Sequence, residues 1–245
     1  MADFRNTYDD AAYADAYARL EFPGTYYLAY RDLPAILAEH CTGRRALDFG
    51  CGAGRSTRFL RRLGFEAVGV DISADMIRQA LALDPSGDYR LIAGARNDLP
   101  GGEFDLVLSV FTFDNIPNDR KAGILTGLRT LLGPAGHVVI LVSSPDIYTH
   151  EWASFSSRDF PENRAAGPGD VVRCINTDIA DSRPADDVLC PDASYREAFA
   201  AARLEVVSVR RPLARGDEPI AWVNETRIAP WVIYVLRVPP VVPDG

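Results

Sequence analysis

The sequence predicts an α/β fold, a doubly wound and mostly parallel sheet covered by helices on both faces. Three observations predict it: strand-like and helical patterns alternate between residues 45 and 142, the first strand runs into a glycine-rich turn, and the second ends in an aspartate. Because crossovers between parallel strands are right-handed, this alternation gives a doubly wound layout. A chain of 245 residues fits one such domain with an elaboration, and we expect a single domain over residues 1–245.

Seven strands are expected in the sheet. Apolar and β-branched runs predict five of them, at residues 45–49, 66–71, 89–93, 105–110 and 136–142. Helical spacing predicts the intervening helices near residues 55–63, 74–82 and 120–132. A later helix at 193–202 and strands near 204–210 and 230–238 close the sheet.

Two segments are expected outside this core. Residues 1–42 are interpreted as an N-terminal helical lid, with helices over 8–21 and 26–41. Residues 143–190 are too long and polar for an ordinary connection, and we interpret them as a substrate cap inserted after the fifth strand. Within the cap, residues 170–176 and 186–190 are expected to pair as an antiparallel ribbon. Residues 43–142 would then form the binding core, and 191–245 the last helix and strands.

The composition indicates a globular protein that acts on small molecules. Hydrophobic residues make up 47% of the chain, and the formal net charge is −8 with no block of Lys or Arg. This balance argues against a large phosphate-binding surface, so no nucleic-acid partner is expected. No apolar stretch approaches the roughly 20 residues that span a bilayer, and residues 1–5 lack the features of a signal peptide. We therefore expect no membrane partner and a cytoplasmic location.

The cysteines give no sign of a metal site. Four of them are dispersed along the chain, without a Cys-x-x-Cys pair and without a histidine at ligand spacing, at Cys41, Cys51, Cys174 and Cys190. We expect free thiols and no metal. Cys51 lies in the glycine-rich turn, where a small residue that fits a crowded backbone is a simpler interpretation than a reactive thiol.

The most informative segment is the turn Asp48-Phe49-Gly50-Cys51-Gly52-Ala53-Gly54. Three glycines at alternate positions permit backbone conformations and close approaches that other residues do not allow. Such a turn between a strand and a helix suits a nucleotide-like ligand. The dinucleotide fingerprint Gly-x-Gly-x-x-Gly would require a third glycine at position 55, where Arg55 stands. An NAD-linked dehydrogenase is therefore disfavoured.

The second strand ends in a candidate ribose ligand. Asp71 lies 21 residues after Gly50, close to the spacing at which an acidic residue binds a ribose hydroxyl. A structural alternative is that Asp71 or Ser73 caps the helix that begins near Ala74. Both interpretations can hold for different residues.

Together these motifs resemble the class I S-adenosylmethionine (SAM) methyltransferases, whose fold is Rossmann-like. The pattern acidic-x-Gly-x-Gly-x-Gly is similar to motif I of that family, residues 104–110 are similar to its fourth-strand motif, and residues 131–137 to its approach to the fifth strand. The resemblance implies SAM as cofactor and methyl transfer as the activity. The cofactor-binding residues it implies are Asp48, Gly50, Cys51, Gly52, Gly54, Asp71, Ile72, Met76, Ala95, Arg96, Ser109 and Val110.

One position departs from the family pattern. Family members commonly carry an aspartate that contacts the adenine amino group where this chain has Ala95, although the amide of Arg96 could still donate to the ring. The loss of one such hydrogen bond costs about 1 kcal/mol. The departure leaves open a second function, a SAM-binding protein that catalyses decarboxylation or cyclisation, or that senses a ligand.

Methyl transfer from a sulfonium depends mainly on positioning, and a catalytic base helps only a neutral acceptor of high pKa. His40 and His137 fall at a helix end and a strand start, and we interpret both as structural. His150 follows the fifth strand, on the side where α/β sheets bind ligands, and is the candidate base. Asp114, Asp146 and Glu151 are alternative polar anchors.

Aromatic residues gather in the segments expected to cover the acceptor. They favour a small aromatic or heterocyclic molecule, methylated on O or N, although each ring could instead fill the core. The candidate substrate residues are Tyr8, Tyr13, Phe111, Phe113, Asp114, Tyr148, Trp152 and Trp222.

Overall fold

The structure is a computed structural model that describes residues 22, 24–93, 99, 101–179, 181 and 183–240. The expected helix at 8–21 and the candidate residues Tyr8, Tyr13, Ala95 and Arg96 lie outside these residues.

Six α-helices are described: α1 (Thr25–Arg31), α2 (Leu33–His40), α3 (Arg55–Arg62), α4 (Ala74–Leu83), α5 (Asn118–Arg129) and α6 (Asp192–Ala201). Ten strands are described: β1 (Arg45–Phe49), β2 (Glu66–Asp71), β3 (Asp88–Leu91), β4 (Phe104–Val110), β5 (Leu132–Ser143), β6 (Phe155–Ser156), β7 (Val171–Asn176), β8 (Ala185–Val188), β9 (Glu205–Arg210) and β10 (Trp231–Arg237).

Seven of these strands form the main sheet, in the order β3-β2-β1-β4-β5-β10-β9. The pairs from β3 to β5 are parallel, and β10 is antiparallel to both of its neighbours. The chain order reverses at β1 and β4, where ligands bind in doubly wound sheets. The predicted fold class, a mostly parallel seven-stranded sheet, is confirmed.

Both faces of the sheet are buried, as helices on both sides require. Two hydrophobic clusters form the core, and successive residues of one strand belong to different clusters: Ala46 to one and Leu47 to the other. Leu141 and Ile140 divide in the same way along β5. The strands therefore read as continuous apolar runs rather than as an alternating pattern.

The single helix expected over residues 26–41 is wrong, because two short helices, α1 and α2, occupy that segment. Pro34 lies in the first turn of α2 and has no amide hydrogen to donate to the preceding turn. The helical ladder therefore stops at Asp32, which ends α1 and whose carbonyl accepts the amide of Ile36 in a new ladder.

The segment after β5 contains a small antiparallel sheet in the order β6-β7-β8. The register pairs Val171 with Val188 and Cys174 with Ala185, so the ribbon predicted between these segments is present. The side chain of Asn163 holds this sheet to the core, because its Nδ2 donates to the carbonyls of Tyr148 (2.8 Å) and Arg173 (2.7 Å). The described part of residues 143–190 thus folds against the core, beside the ends of β4 and β5.

The buried carboxylate of Glu225 links three separate segments. It accepts a 2.7 Å hydrogen bond from Thr25 Oγ1 at the start of α1 and a 2.7 Å bond from the amide of Ala153. It also accepts from the amides of Val223 and Asn224 in its own loop. These bonds fix α1 against the segment after β5 and the loop before β10.

The helices of the described ranges are short. None of them combines the length and the apolar character that crossing a membrane requires.

Candidate active site

The glycine turn follows β1 and lies at the point where the strand order reverses. Gly50, Gly52 and Gly54 have φ values of 74°, 52° and 81°, all in the left-handed region that favours glycine. The amides of Gly50 and Cys51 both donate to the carbonyl of Val70, at 2.8 and 2.9 Å. The turn is therefore anchored to β2 as well as to β1.

The three glycines meet different surroundings. A Cβ at Gly50 would lie 2.1 Å from Thr112 Oγ1, and one at Gly54 would lie 2.7 Å from the ring of Tyr89. At Gly52 the only atom of the described residues within 4 Å would be the sulfur of Met76, at 3.9 Å. Gly50 and Gly54 are thus required by packing, whereas no described residue closely approaches Gly52, which leaves room for a ligand there.

Asp48 lies fully buried beneath this turn. Its Oδ2 accepts two hydrogen bonds of 2.6 Å, from Ser56 Oγ and Thr57 Oγ1 in the first turn of α3, while its Oδ1 has no hydrogen-bond partner among the residues that the structure describes. Burial raises the pKa of the carboxyl to about 6, and the two hydroxyls and Arg55 oppose this rise. An unpaired buried acceptor is costly, so Oδ1 fits a ligand that brings a donor.

Asp71 ends β2 and faces the turn. Its Oδ2 accepts the amide of Gly52 at 2.8 Å, and its Oδ1 accepts the amide of Ser73 at 2.9 Å. Ser73 is the residue that caps α4, accepting from the amide of Met76. The two sequence interpretations therefore fall on different residues: Ser73 caps the helix, and Asp71 lies at the glycine turn.

Apolar residues border the same place. The side chain of Ile72 follows Asp71 and is half exposed, whereas Met76 is buried beneath Gly52. Cys51 is buried too, and burial raises the pKa of its thiol well above the usual range. Its sulfur lies close to the position that a Cβ would take at Gly69, 3.0 Å away, in agreement with a packing role.

The end of β4 supports the turn from the other side. Ser109 Oγ donates a 3.0 Å hydrogen bond to the carbonyl of Phe49, and Val110 is buried. Thr112 Oγ1 lies within hydrogen-bond distance of the carbonyls of Phe49 and Gly50, at 3.2 and 3.1 Å. Sequence reasoning missed Thr112, because nothing in its neighbours marks a hydroxyl that reaches back across about 60 residues.

The second site is a cavity between the ends of β4 and β5 and the strands β7 and β8. Four rings line part of it and pack on one another, and we call them the aromatic cluster: Tyr26, Phe111, Phe155 and Trp231. Their ring centroids lie 4.7 Å apart for Phe111 and Trp231, and 5.2 Å apart for Tyr26 and Phe155. Phe111 has a left-handed φ of 62°, a strained conformation for a non-glycine residue that is typical of functional sites.

Two buried carboxyl groups line the other part of this cavity, Asp114 and Asp187. Asp114 accepts hydrogen bonds from the amide and the hydroxyl of Ser143 at 2.9 to 3.1 Å. Asp187 accepts from Asn115 Nδ2 at 2.6 Å and from the hydroxyl of Tyr148 at 3.1 Å. Burial, and then the charge of Asp187, raise the pKa of Asp114 to about 8, and burial raises that of Asp187 to about 6.

The cavity adjoins the glycine turn. Arg55 begins α3 directly after Gly54, and its guanidinium carbon lies 4.7 Å from the ring centroid of Tyr26. Thr112, beneath Gly50, follows Phe111 in the chain. Tyr26 and Phe111 therefore connect the cavity to the surroundings of the glycine turn.

The remaining candidate substrate residues lie in other surroundings. Phe113 is fully buried beside Phe49 in the other core cluster, with ring centroids 6.3 Å apart. Trp152 is buried and donates its Nε1 hydrogen to the carbonyl of Ile147, and Trp222 donates to Glu218 Oε2. Of the eight residues, the structure brings Phe111 and Asp114 to the cavity and places Tyr148 against Asp187.

His150 is not among the described residues that line the cavity. Its side chain is 38% exposed, and its Nδ1 lies 3.2 Å from the carbonyl oxygen of Asp146 and 3.1 Å from Thr149 Oγ1. Its ring meets that of Trp152 edge-on at 6.2 Å. The proposed role of His150 as a base stays a prediction, which this position does not favour.

Asp187 and Tyr26 were missed as cavity residues by sequence reasoning. Asp187 follows Asp186 in a polar run, and its hydrogen-bond partners Asn115 and Tyr148 lie 72 and 39 residues away. A period-two pattern in β8, with residue 186 outward and residue 187 inward, is the one signal that could have found it.

The fold and these two adjoining sites define the class of protein. A family of sequences described as "Methyltransferase domain" matches residues 19–183, more than half of the chain. The chain belongs to this family. The resemblance to class I SAM-dependent methyltransferases is thus confirmed, and with it SAM as the cofactor of the family.

Particular relatives agree with this assignment. The ubiquinone biosynthesis O-methyltransferase of Burkholderia ambifaria is 28% identical over 141 residues, which are 56% of this chain and 60% of that protein. The chain therefore spans about 60% of the length of this relative.

Solved structures show the same fold. The CcbJ methyltransferase of Streptomyces caelestis superposes with a TM-score of 0.63 at 19% identity, over 93% of this chain and 96% of the other. A SAM-dependent methyltransferase of Mesorhizobium loti gives 0.59 at 21% identity, over 84% and 97%.

The residues around the glycine turn fit SAM. Gly52 leaves room for a ligand, Asp48 offers an acceptor without a partner, and Asp71 ends the strand at which a ribose is bound. Ile72 adds an exposed apolar side chain at the same edge. No described residue projects a side chain into the space above Gly52 closer than Met76.

Proposed function

We propose that this protein transfers a methyl group from SAM to an oxygen or nitrogen of a small molecule that carries an aromatic or heterocyclic ring. The observation that carries the proposal is the cavity with the aromatic cluster, which lies next to the glycine turn: Arg55, directly after the turn, lies 4.7 Å from the ring centroid of Tyr26. Aromatic walls with a few polar groups are typical of sites for flat small molecules.

The residues of the chain would act mainly by positioning. SAM supplies an electrophilic methyl group on a sulfonium, with a good leaving group already attached. Asp48 and Asp71 would hold the cofactor, and the aromatic cluster would orient the acceptor and exclude water. Asp187 would hold a proton that the acceptor releases, because it lies in the cavity with a pKa of about 6.

Two further observations support a small acceptor. The relative from Burkholderia ambifaria is named as an O-methyltransferase of ubiquinone biosynthesis. The net charge of −8 disfavours a nucleic-acid acceptor. As part of the proposal, we expect the protein to work in the cytoplasm.

The experiment that tests the proposal has two measurements. Calorimetric titration with S-adenosylhomocysteine measures whether the cofactor site binds its expected product, with Asp71→Ala as the variant that should bind about 10- to 100-fold more weakly. Incubation with SAM and a panel of phenols, catechols and aromatic amines then measures formation of S-adenosylhomocysteine.

Binding together with acceptor-dependent formation of S-adenosylhomocysteine supports the proposal. Binding without turnover of any acceptor would favour the second function, a SAM-binding protein with other chemistry, which Ala95 keeps open. Binding of NAD in place of S-adenosylhomocysteine would contradict both functions.

A further inference from the structure

The cavity beside the glycine turn has acidic groups in its lining. The described residues that line it include two carboxyl groups, Asp114 and Asp187, and no Lys, Arg or His. Both carboxyl groups belong to residues that are more than nine-tenths buried. Buried carboxyl groups at a cavity wall are satisfied by hydrogen-bond donors and by positive charge, so this wall of the cavity favours a ligand that brings them.

Two neighbouring cations lie outside the lining of the cavity, and the charge of one of them, Lys121, acts on both carboxyl groups from behind the cavity wall. Lys121 is fully buried, and its Nζ donates to the carbonyls of Phe113 (2.7 Å) and Ile116 (2.5 Å). Arg55 lies over the rings of Tyr26 and Tyr30, at 4.7 and 5.4 Å. Neither residue is among those that line the cavity.

Asp187 is held in the form that accepts hydrogen bonds. Asn115 donates to its Oδ1 and Tyr148 donates to its Oδ2. Both donors stabilise the ionised carboxyl, and they oppose the rise in its pKa that burial causes. A carboxylate has about four acceptor positions, so two bonds leave capacity for a donor in the cavity.

Asp114 is the weaker acid of the pair. Burial and the neighbouring charge of Asp187 raise its pKa to about 8, above that of Asp187. Asp187, which has two side-chain donors, is therefore the member of the pair that more readily carries a negative charge.

The aromatic cluster supplies the other half of a cation site. Trp231 and Tyr26 lie with ring centroids 5.9 Å apart, and Phe155 meets Trp231 at 5.6 Å. Aromatic rings attract organic ammonium groups, and Trp and Tyr do so best. The rings and the buried carboxylate together form a site that an organic ammonium group would satisfy better than an anion or a neutral group would.

We propose that this cavity binds an organic amine in its ammonium form, between Asp187 and the aromatic cluster, and so selects acceptors that carry a basic nitrogen. The inference rests on the proposed function only in assigning the cavity to the methyl acceptor. A metal ion is a poorer occupant, because no group of three or more metal-ligating side chains occurs among the residues that the structure describes.

The test uses three probes that share one ring and differ in their polar group: benzylamine, benzyl alcohol and benzoate. Each is titrated into the full-length protein at pH 7 with saturating S-adenosylhomocysteine, and binding is followed by ligand-observed NMR and calorimetry. We expect benzylamine to bind about tenfold more tightly than benzyl alcohol, since hydrogen bonds to charged groups are worth about 1.5–3 kcal/mol, and benzoate to bind least.

Asp187→Asn is the diagnostic variant, and Asp186→Asn is its matched control. An asparagine at 187 can still accept from Asn115 and bond to Tyr148, so the fold is retained. Asp186 is the preceding residue, and its carboxylate pairs with Arg173 outside the cavity. We expect Asp187→Asn to weaken benzylamine about tenfold and to leave benzyl alcohol within about twofold, whereas Asp186→Asn changes neither by more than about twofold.

Three results would overturn the inference: benzylamine that does not bind, benzyl alcohol or benzoate that binds as tightly as benzylamine, or equal effects of the two aspartate variants. Melting temperatures of both variants show whether each one is folded. A separate titration with S-adenosylhomocysteine alone distinguishes a failure of the proposed function from a failure of the amine site. If the proposed function is wrong, S-adenosylhomocysteine does not bind. If only the amine site is wrong, S-adenosylhomocysteine still binds.

Discussion

The backbone amide of Gly52 donates a 2.8 Å hydrogen bond to Oδ2 of Asp71. This bond joins the turn after β1 to the end of β2, so that two motifs separated in the sequence form one surface. The second oxygen of Asp71 accepts the amide of Ser73, which caps α4. The carboxylate is therefore oriented by the backbone before a ligand arrives, and this preorganisation reduces the cost of binding.

Replacement of Asp71 should lower the affinity of the cofactor site. We expect Asp71→Ala to weaken the binding of S-adenosylhomocysteine by about 10- to 100-fold, because a carboxylate hydrogen bond is worth about 1.5–3 kcal/mol. Calorimetric titration measures this. Asp75→Ala is the matched control, since Asp75 lies one turn further on and pairs with Arg78 at the surface. Equal affinities of Asp71→Ala and the parent would contradict the ribose assignment.

Two glycine variants should separate folding from binding. Gly52→Ala places its methyl group in open space, so we expect a loss of about 1–2 kcal/mol of stability from the left-handed φ of 52°, together with loss of cofactor binding. Gly50→Ala drives its Cβ to 2.1 Å from Thr112 Oγ1 in addition to its positive φ, and should cost about 3 kcal/mol or more.

Urea unfolding and titration with S-adenosylhomocysteine measure the two effects. Gly123→Ala is the control, because Gly123 lies within α5 with no atom within 4 Å of its added Cβ, and it should gain about 0.5–1 kcal/mol. A Gly52→Ala protein that binds the cofactor normally would show that the space above Gly52 is not the cofactor site.

The buried carboxyl of Asp48 should make stability depend on pH. Its pKa rises from 3.8 to about 6 on folding, so between these values the folded protein holds more protons than the unfolded chain. The free energy of unfolding therefore falls as pH rises through this range and levels off above it, by on the order of 3 kcal/mol.

Asp48→Asn removes this dependence and keeps an acceptor for Ser56 and Thr57. We expect the ligand-free variant to equal or exceed the parent in stability at pH 8, to show no advantage at pH 4, and to bind S-adenosylhomocysteine more weakly. Urea denaturation of both proteins at the two pH values measures the difference in their free energies of unfolding. Because the other carboxyl groups are the same in both proteins, this difference reports on Asp48. A variant that is less stable than the parent at pH 8 would contradict this account.

The parts of the fold that the sequence predicted well depend on local signals. The bounds of β1 and β2 agree with the structure to the residue, because each is an apolar run that ends at glycine or an acid. The glycine turn and Asp71 followed from spacing alone. The division of α1 from α2 also had a local cause, Pro34, whose effect the helical periodicity around it concealed.

The cavity with the aromatic cluster was harder to predict because it is assembled from distant segments. Phe111 and Phe113 lie two residues apart, yet the left-handed conformation of Phe111 and the short helical turn after it send the rings to different clusters. Trp231 and Tyr26 meet across about 200 residues of chain. Composition indicated that aromatic rings would line a pocket, but only tertiary packing selects which ones do.

The position of His150 leads to a prediction about catalysis. We expect His150→Ala to keep the rate of methyl transfer within about twofold, because its ring is partly exposed and does not line the cavity, whereas Asp187→Asn should lower kcat about 10- to 100-fold. The measurement is kcat across pH with an acceptor found in the screen. A large loss in His150→Ala that follows the titration of a histidine would restore the sequence-based assignment.

The buried Lys121 should be essential for stability. Its Nζ donates to the carbonyls of Phe113 and Ile116, and its charge opposes the rise in the pKa of Asp114. Lys121→Met leaves both carbonyls without this donor and removes the charge beside two buried acids, so we expect a loss of about 2–4 kcal/mol.

Urea denaturation at pH 7 measures this loss, with Arg120→Met as the control. Arg120 is the preceding residue of α5 and is exposed, so its replacement should change stability by less than about 0.5 kcal/mol. The loss in Lys121→Met should shrink at pH 5, where Asp114 and Asp187 are both largely protonated and need no neighbouring cation. A loss that is the same at both pH values would show that Lys121 acts through the two carbonyls alone and not through its charge.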